Sequence, residues 1–168
     1  MRILGIDPGS RYCGYGVVER VTRSARSPRG LAYVECGVLE PQRQAPLSSR
    51  LAEIGVGLRE VIAELRPDAV AVEGVFHGRN ARSALQLGHS RGVALACAGE
   101  AGLSVFEYAP ATVKRSVAGS GAATKLQVLA MVRTFCALRR APRLDASDAL
   151  AVAICHLFHA RLRVGARP

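Results

Sequence analysis

Aspartate is scarce in this chain, with four among 168 residues against 23 Lys+Arg. Lysine is scarcer still: Lys114 and Lys125 stand alone beside 21 arginines, and tryptophan is absent. No stretch approaches the ~18–20 uninterrupted apolar residues of a membrane-spanning helix. The first residues read as a strand and lack the basic, apolar, small-residue order of a signal peptide. The five cysteines (Cys13, Cys36, Cys97, Cys136 and Cys155) are odd in number and lack Cys-x-x-Cys spacing. They argue against a disulfide framework or a thiolate zinc cluster and read as reduced core residues. The expectation is a soluble, intracellular, cytoplasmic protein.

What the chain does hold is positive charge. A net charge of +10 and an isoelectric point near 10.3 are the footprint of a polyanion binder. No basic tail or basic amphipathic helix dominates, which disfavours a ribosomal-type or membrane-surface explanation. Arginines recur instead in what read as loops: Arg20, Arg23, Arg26 and Arg29; Arg79 and Arg82; Arg139, Arg140 and Arg143. Nucleic acid is the expected partner. With 49% hydrophobic residues and no low-complexity stretch, residues 1–168 are expected to fold as one domain with a substantial core.

Periodicity sets the order of elements. Residues 2–7 read as a central strand, apolar on both faces. Residues 13–21 and 31–40, separated by a polar turn-rich loop, extend it into an antiparallel meander. Leu47, Leu51, Ile54, Leu58, Val61, Ile62 and Leu65 follow a 3.6-residue period, and Pro67 lies just past the helix they predict. A short buried strand at 69–73, a long helix at 79–101 and a strand at 103–108 come next, then helices over 111–117, 124–138 and 145–162. This predicts an α/β fold with a mixed sheet flanked by helices on both faces. Asp7 and Glu73 fall at the carboxyl ends of neighbouring strands, the edge where open α/β sheets bind ligands.

Three of the four aspartates, with Glu73, form a pattern. Asp145 and Asp148 are three apart, so on a helix they share one face with Cβ atoms about 5–6 Å apart. Either alone is as well explained as a helix cap or a first-turn acid favoured by the helix dipole, and Asp7 alone as a turn former before Pro8-Gly9. Glu73 resists such an account, because it places a charge inside an apolar run. Together they are hard oxygen donors suited to Mg²⁺ or Mn²⁺, with no Cys/His set for zinc. Two such ions can activate water and stabilise a leaving oxygen in phosphodiester hydrolysis.

The segment Ile-Leu-Gly-Ile-Asp-Pro-Gly-Ser-Arg-Tyr-Cys-Gly-Tyr-Gly-Val-Val (residues 3–18) resembles the opening of the RuvC family of Holliday-junction resolvases, within the RNase H-like superfamily. The resemblance continues through Val72-Glu73-Gly74-Val75-Phe76, Asn80 to Gly88, Arg91-Gly92-Val93-Ala94, Val105 to Ala109, Val113-Lys114, Lys125 to Val128 and Asp145 to Ala151. It covers nearly the whole chain in family order. It implies an RNase H-like fold with a five-stranded mixed sheet, and a homodimer that nicks two opposed strands of a four-way DNA junction. It also implies Mg²⁺, two ions per site with Mn²⁺ as a substitute, and the RuvA and RuvB branch-migration proteins as partners. Asp7, Glu73, Asp145 and Asp148 match the family's catalytic acids. Gly74 stands where glutamine is common, and Arg82 where an acid is often found.

Other residues have two readings. Phe76 follows Glu73 by three positions; core packing is the plain explanation, and the resemblance implies a wedge that stacks on or unpairs bases. Lys114 and Lys125 are either chance survivors of a bias towards arginine or point-charge partners for a phosphate, and both match family lysines near the scissile phosphate. Arg79 and Arg82 are candidate DNA contacts. The Gly-Ser loop at 118–122 lacks the pattern of a phosphate-binding loop, and His77, His89, His156 and His159 are not expected ligands. Ala84, Gly88, Gly92 and Ala96 form a flat stripe that either lies on the sheet or serves a two-fold interface. Competing functions are an actin-like phosphate-binding domain, which needs two such units, a non-catalytic junction-binding protein, and an RNase H-type nuclease acting on hybrids.

Overall fold

The computed structural model describes residues 1–24, 27, 29–74 and 81–164. The elements are β1 (Arg2–Asp7), β2 (Cys13–Arg20), β3 (Leu31–Leu39), α1 (Leu47–Leu65), β4 (Ala69–Glu73) and α2 (Ala81–Glu100), then β5 (Ser104–Tyr108), α3 (Pro110–Ala118), α4 (Lys125–Phe135) and α5 (Leu144–Val164). Among the described residues the strands form one five-stranded sheet in the order β3-β2-β1-β4-β5. β1, β2 and β3 pair antiparallel, and β4 and β5 join in parallel. The mixed sheet and the antiparallel meander expected from the sequence are both present.

Strand alternation separates two cores. Leu4, Ile6, Val17, Val70 and Val72 point to one face and meet Ile54, Leu58 and Ile62 of α1 with Ala94, Cys97 and Ala98 of α2. Ile3, Ala69 and Ala71 point to the other, towards Val113, Val128, Val132 and the apolar side of α5. Ile3, Leu4, Ile6, Ile54, Leu58, Leu150, Ile154 and Leu157 are fully buried. Each such side chain contributes roughly 1.5–3 kcal/mol relative to exposure. Among the described residues no helix is long and apolar enough to cross a membrane.

Three departures from expectation have physical causes. α4 stops at Phe135 rather than 138: Cys136 caps it, Ala137 turns left-handed at φ 50°, and the Leu138 amide closes back on the Arg133 carbonyl. That turn keeps both Phe135 and Cys136 buried. Cys36 lies on the edge strand β3 and is half-buried, unlike the other four cysteines, which are buried. The small-residue stripe does not lie on the sheet: Gly88, Gly92 and Ala96 are exposed, and a Cβ added at Gly88 or Gly92 would meet nothing within 4 Å.

Candidate active site at the carboxyl edge of the sheet

β1 and β4 run parallel with Ile6 opposite Val72, so the next residues, Asp7 and Glu73, end adjacent strands side by side. Both follow the alternation of Ile3 and of Ala69 and Ala71 onto the α5 face. α5 brings the other two acids there by lying unusually close to the sheet. A Cβ at Gly5 would sit 2.0 Å from the Ala149 carbonyl oxygen, one at Gly14 2.1 Å from that of Asp145, and one at Gly16 2.6 Å from Leu150 Cγ. Real Cβ atoms do not approach so closely, so α5, by its backbone at Gly5 and Gly14 and by the Leu150 side chain at Gly16, occupies space that only glycine leaves. Gly14 is also the register partner of Asp7, and Gly16 that of Gly5. The first turn of α5, carrying Asp145 and Asp148, is thereby laid beside Asp7. These glycines carry no chemistry, and a sequence reading centred on acids and bases passed over their role. The signal was the spacing of Gly5, Gly14 and Gly16 on two adjacent strand segments.

The acids interact through space. Burial first, then the charges of Glu73 and Asp148, push the Asp7 carboxyl up to about 7, with Lys125 opposing. Burial and the Asp148 charge hold Glu73 above its ordinary range, while Lys125 and Lys114 pull it down. Perturbed carboxylates in a cleft are a mark of functional sites. Lys125 Nζ lies 2.6 Å from Asp148 Oδ2. Glu73, Lys114, Lys125 and Asp148 share a cavity of about 200 Å³ with Pro110, Val113, Val128 and Ala151.

An oxygen-only donor set whose members repel one another fits a hard divalent cation, which would relieve that repulsion. Among the described residues no three such donors are drawn together tightly enough to hold a metal as they stand. The acids are neighbours that would close further around an ion.

Of the remaining candidates, Phe76 and Arg79 lie outside the described residues, as do Arg26, His77 and the side chain of Arg82. Gly74 donates its amide to the Tyr108 carbonyl at 2.8 Å, and a Cβ there would make only ordinary contacts from 3.4 Å. Several of the chain's other arginines have partners within it. Arg20 reaches the Leu157 carbonyl, Arg29 lies 4.9 Å from the Phe135 ring centre, and Arg143 pairs with Glu40 while covering the Tyr12 ring at 5.2 Å. Arg50 donates to the Ser10 carbonyl at 3.2 Å and so steadies the turn after Asp7. Arg23, Arg139 and Arg140 are exposed. His156 is buried against Tyr108 and Phe106, with its ring nitrogen 2.9 Å from the Tyr108 hydroxyl.

A mixed sheet in this order, flanked by helices on both faces and ending in acids, defines the RNase H-like class. The structure of Thermus thermophilus RuvC superposes with a TM-score of 0.86 at 38% identity, covering 97% of each chain. The same protein in complex with a Holliday junction substrate gives 0.87 at 38%, covering 97% of this chain and 96% of that one. The family model described as crossover junction endodeoxyribonuclease RuvC matches residues 3–156. The RuvC of Myxococcus xanthus is 54% identical over 99% of this chain and 85% of the relative. That of Halorhodospira halophila is 53% identical over 94% and 90%. The chain belongs to the RuvC family of crossover junction endodeoxyribonucleases, and it is a nuclease that hydrolyses DNA.

Proposed function

We propose that this chain resolves four-way DNA junctions by metal-assisted phosphodiester hydrolysis, with Asp7, Glu73, Asp145 and Asp148 as both metal-holding and catalytic carboxylates. The observation that carries the reading is the convergence of half-buried Asp7 with Glu73, at the ends of adjacent parallel strands, and with Asp148 on α5. Mg²⁺ is the expected cation, two per site with Mn²⁺ as a substitute; bound there, it would activate a water and stabilise the leaving oxygen. The carboxylates orient that charge. Lys114 and Lys125, bordering the same cavity, hold phosphate oxygens next to it. Arg79 and Arg82 contact the DNA backbone, and Phe76 serves as a wedge at the crossover.

The active species is a homodimer, because two nicks placed symmetrically need two sites related by a two-fold axis. The exposed Gly88–Gly92 stripe on α2, with Leu85 63% exposed beside it, supports close approach of a second helix there. The same reading makes the chain one nuclease domain acting in the cytoplasm with RuvA and RuvB.

Cleavage of a four-way junction, an RNA–DNA hybrid and a linear duplex should be compared with and without Mg²⁺. Paired nicks in the junction alone, abolished by chelation, are expected. Preference for the hybrid would assign the chain to a different RNase H-type activity, and metal-independent binding without nicking would make it a junction-binding protein.

A further inference from the structure

Lys125 is placed against local helix electrostatics. It is the first residue of α4, where the aligned peptide dipoles already present positive charge and a cation is unfavourable. The helix start does not depend on it, because Thr124 and Gln127 form a reciprocal capping box there. The side chain instead spans from solvent to the acids: it is 63% exposed, whereas the Asp148 side chain it touches at 2.6 Å is 18% exposed. Its charge also acts on Asp7 and Glu73. The cavity beside the pair, of about 200 Å³, offers room for the ammonium to turn out of the contact.

Resting on the metal-dependent reading above, we propose that Lys125 is the built-in counter-ion of the acidic site, which a divalent cation must displace from Asp148. A carboxylate cannot serve an ammonium and a divalent cation a few ångströms apart without repulsion between them. The stronger charge takes the oxygen, and the ammonium swings into the cavity, where a phosphate oxygen can receive it. The exchange suits lysine, a compact charge on a flexible stem. An arginine would grip Asp148 through two parallel hydrogen bonds and yield it less readily. That distinction accounts for a lysine here in a chain whose other basic residues, Lys114 apart, are arginines.

Calorimetric titration with Mn²⁺, without DNA and at about pH 8.5 so that the acids are ionised, tests the exchange. Lys125→Gln should bind Mn²⁺ at least about fivefold more tightly than wild type, since a competing positive charge is gone. Without metal it should melt below wild type, and saturating Mn²⁺ should close that gap. Lys125→Arg should bind Mn²⁺ more weakly than wild type, and it carries the test should the glutamine variant not fold. Affinity that is unchanged or weaker in Lys125→Gln, or tighter in Lys125→Arg, with wild-type binding intact, overturns the counter-ion role and leaves the metal reading standing. If wild type and Asp7→Asn alike take up no Mn²⁺, the metal reading fails and this proposal with it.

Discussion

The two faces of the sheet are built on different principles. On the α1–α2 face, aliphatic side chains interdigitate: Leu4, Ile6, Val70 and Val72 from the strands meet Ile54, Leu58 and Ile62. Such a core tolerates volume-conserving exchange, because neighbouring side chains can adjust. On the α5 face, backbone meets backbone across Gly5 and Gly14, with the Leu150 side chain seated on Gly16, and at the two backbone contacts no side chain is available to absorb an error. The adaptable face carries no candidate chemistry. The unforgiving one carries Asp7, Glu73, Asp145 and Asp148. A site assembled from two strands and a helix that begins only at Leu144 needs that helix at one depth, and direct backbone contact is the most restrictive way to fix it.

The contrast is broken most severely on the glycine side. Gly14→Ala should cost at least about 3 kcal/mol of unfolding free energy, because its Cβ meets the Asp145 backbone and overpacking there has nowhere to relax. Any folded fraction should also cleave poorly, since Asp145 is displaced. Denaturant melts and junction cleavage on the same preparation check both. Stability within about 1 kcal/mol of wild type would show that α5 can lift away and that glycine is not what sets its depth.

Next in size is the pH response of the metal-free protein. The Asp7 carboxyl is held at about 7 in the fold against an ordinary value of 3.8, chiefly by burial. Its folded-state pKa is therefore raised, so its contribution to stability is fully present below about pH 4 and lost as pH rises through about 7. Glu73, also raised, adds loss of the same sign. Stability should fall by a few kcal/mol across that window. Asp7→Asn should flatten the fall and melt at least as high as wild type near neutral pH, and Mg²⁺ should raise the wild-type melting temperature. A variant that melts several degrees lower, in a protein indifferent to Mg²⁺, would make these acids structural caps.

On the adaptable face, Ile54→Val should cost only about 0.5–1.5 kcal/mol and leave cleavage untouched. A large loss of activity would remove the division between the faces. The smallest effect belongs to the exposed stripe. Gly88→Ala meets nothing within 4 Å and should leave the helix unharmed or firmer by up to about 1 kcal/mol. It should nonetheless weaken self-association in sedimentation if that stripe is the dimer contact, and an unchanged dimer would move the contact elsewhere.

Where the signal was local, the sequence was legible. The 3.6-residue recurrence from Leu47 to Leu65 marked α1 to the residue, and a glutamate closing Ala-Val-Ala-Val marked both β4 and where it ends. The adjacency of Asp7 and Glu73 followed from one crossover rule. The docking of α5 was not legible, because a glycine shows what it lacks and not which backbone fills the space. Partners remote in sequence misled in the same way. Arg20 ends at a carbonyl 137 residues away, and Arg143 at Glu40, contacts within the fold that a count of basic residues does not show. α4 was drawn too long because Ala137 and Leu138 continue its apolar run. What ends the helix is a left-handed turn that composition does not announce.

In the proposed mechanism Asp7 serves catalysis while arginines hold the DNA. Single-turnover cleavage of a four-way junction by Asp7→Asn, with affinity measured on the same substrate, tests it most directly. Cleavage should fall by more than about a hundredfold, and the dissociation constant should stay within about threefold, because phosphate contacts supply the binding. Cleavage at a tenth of the wild-type rate or better would contradict it.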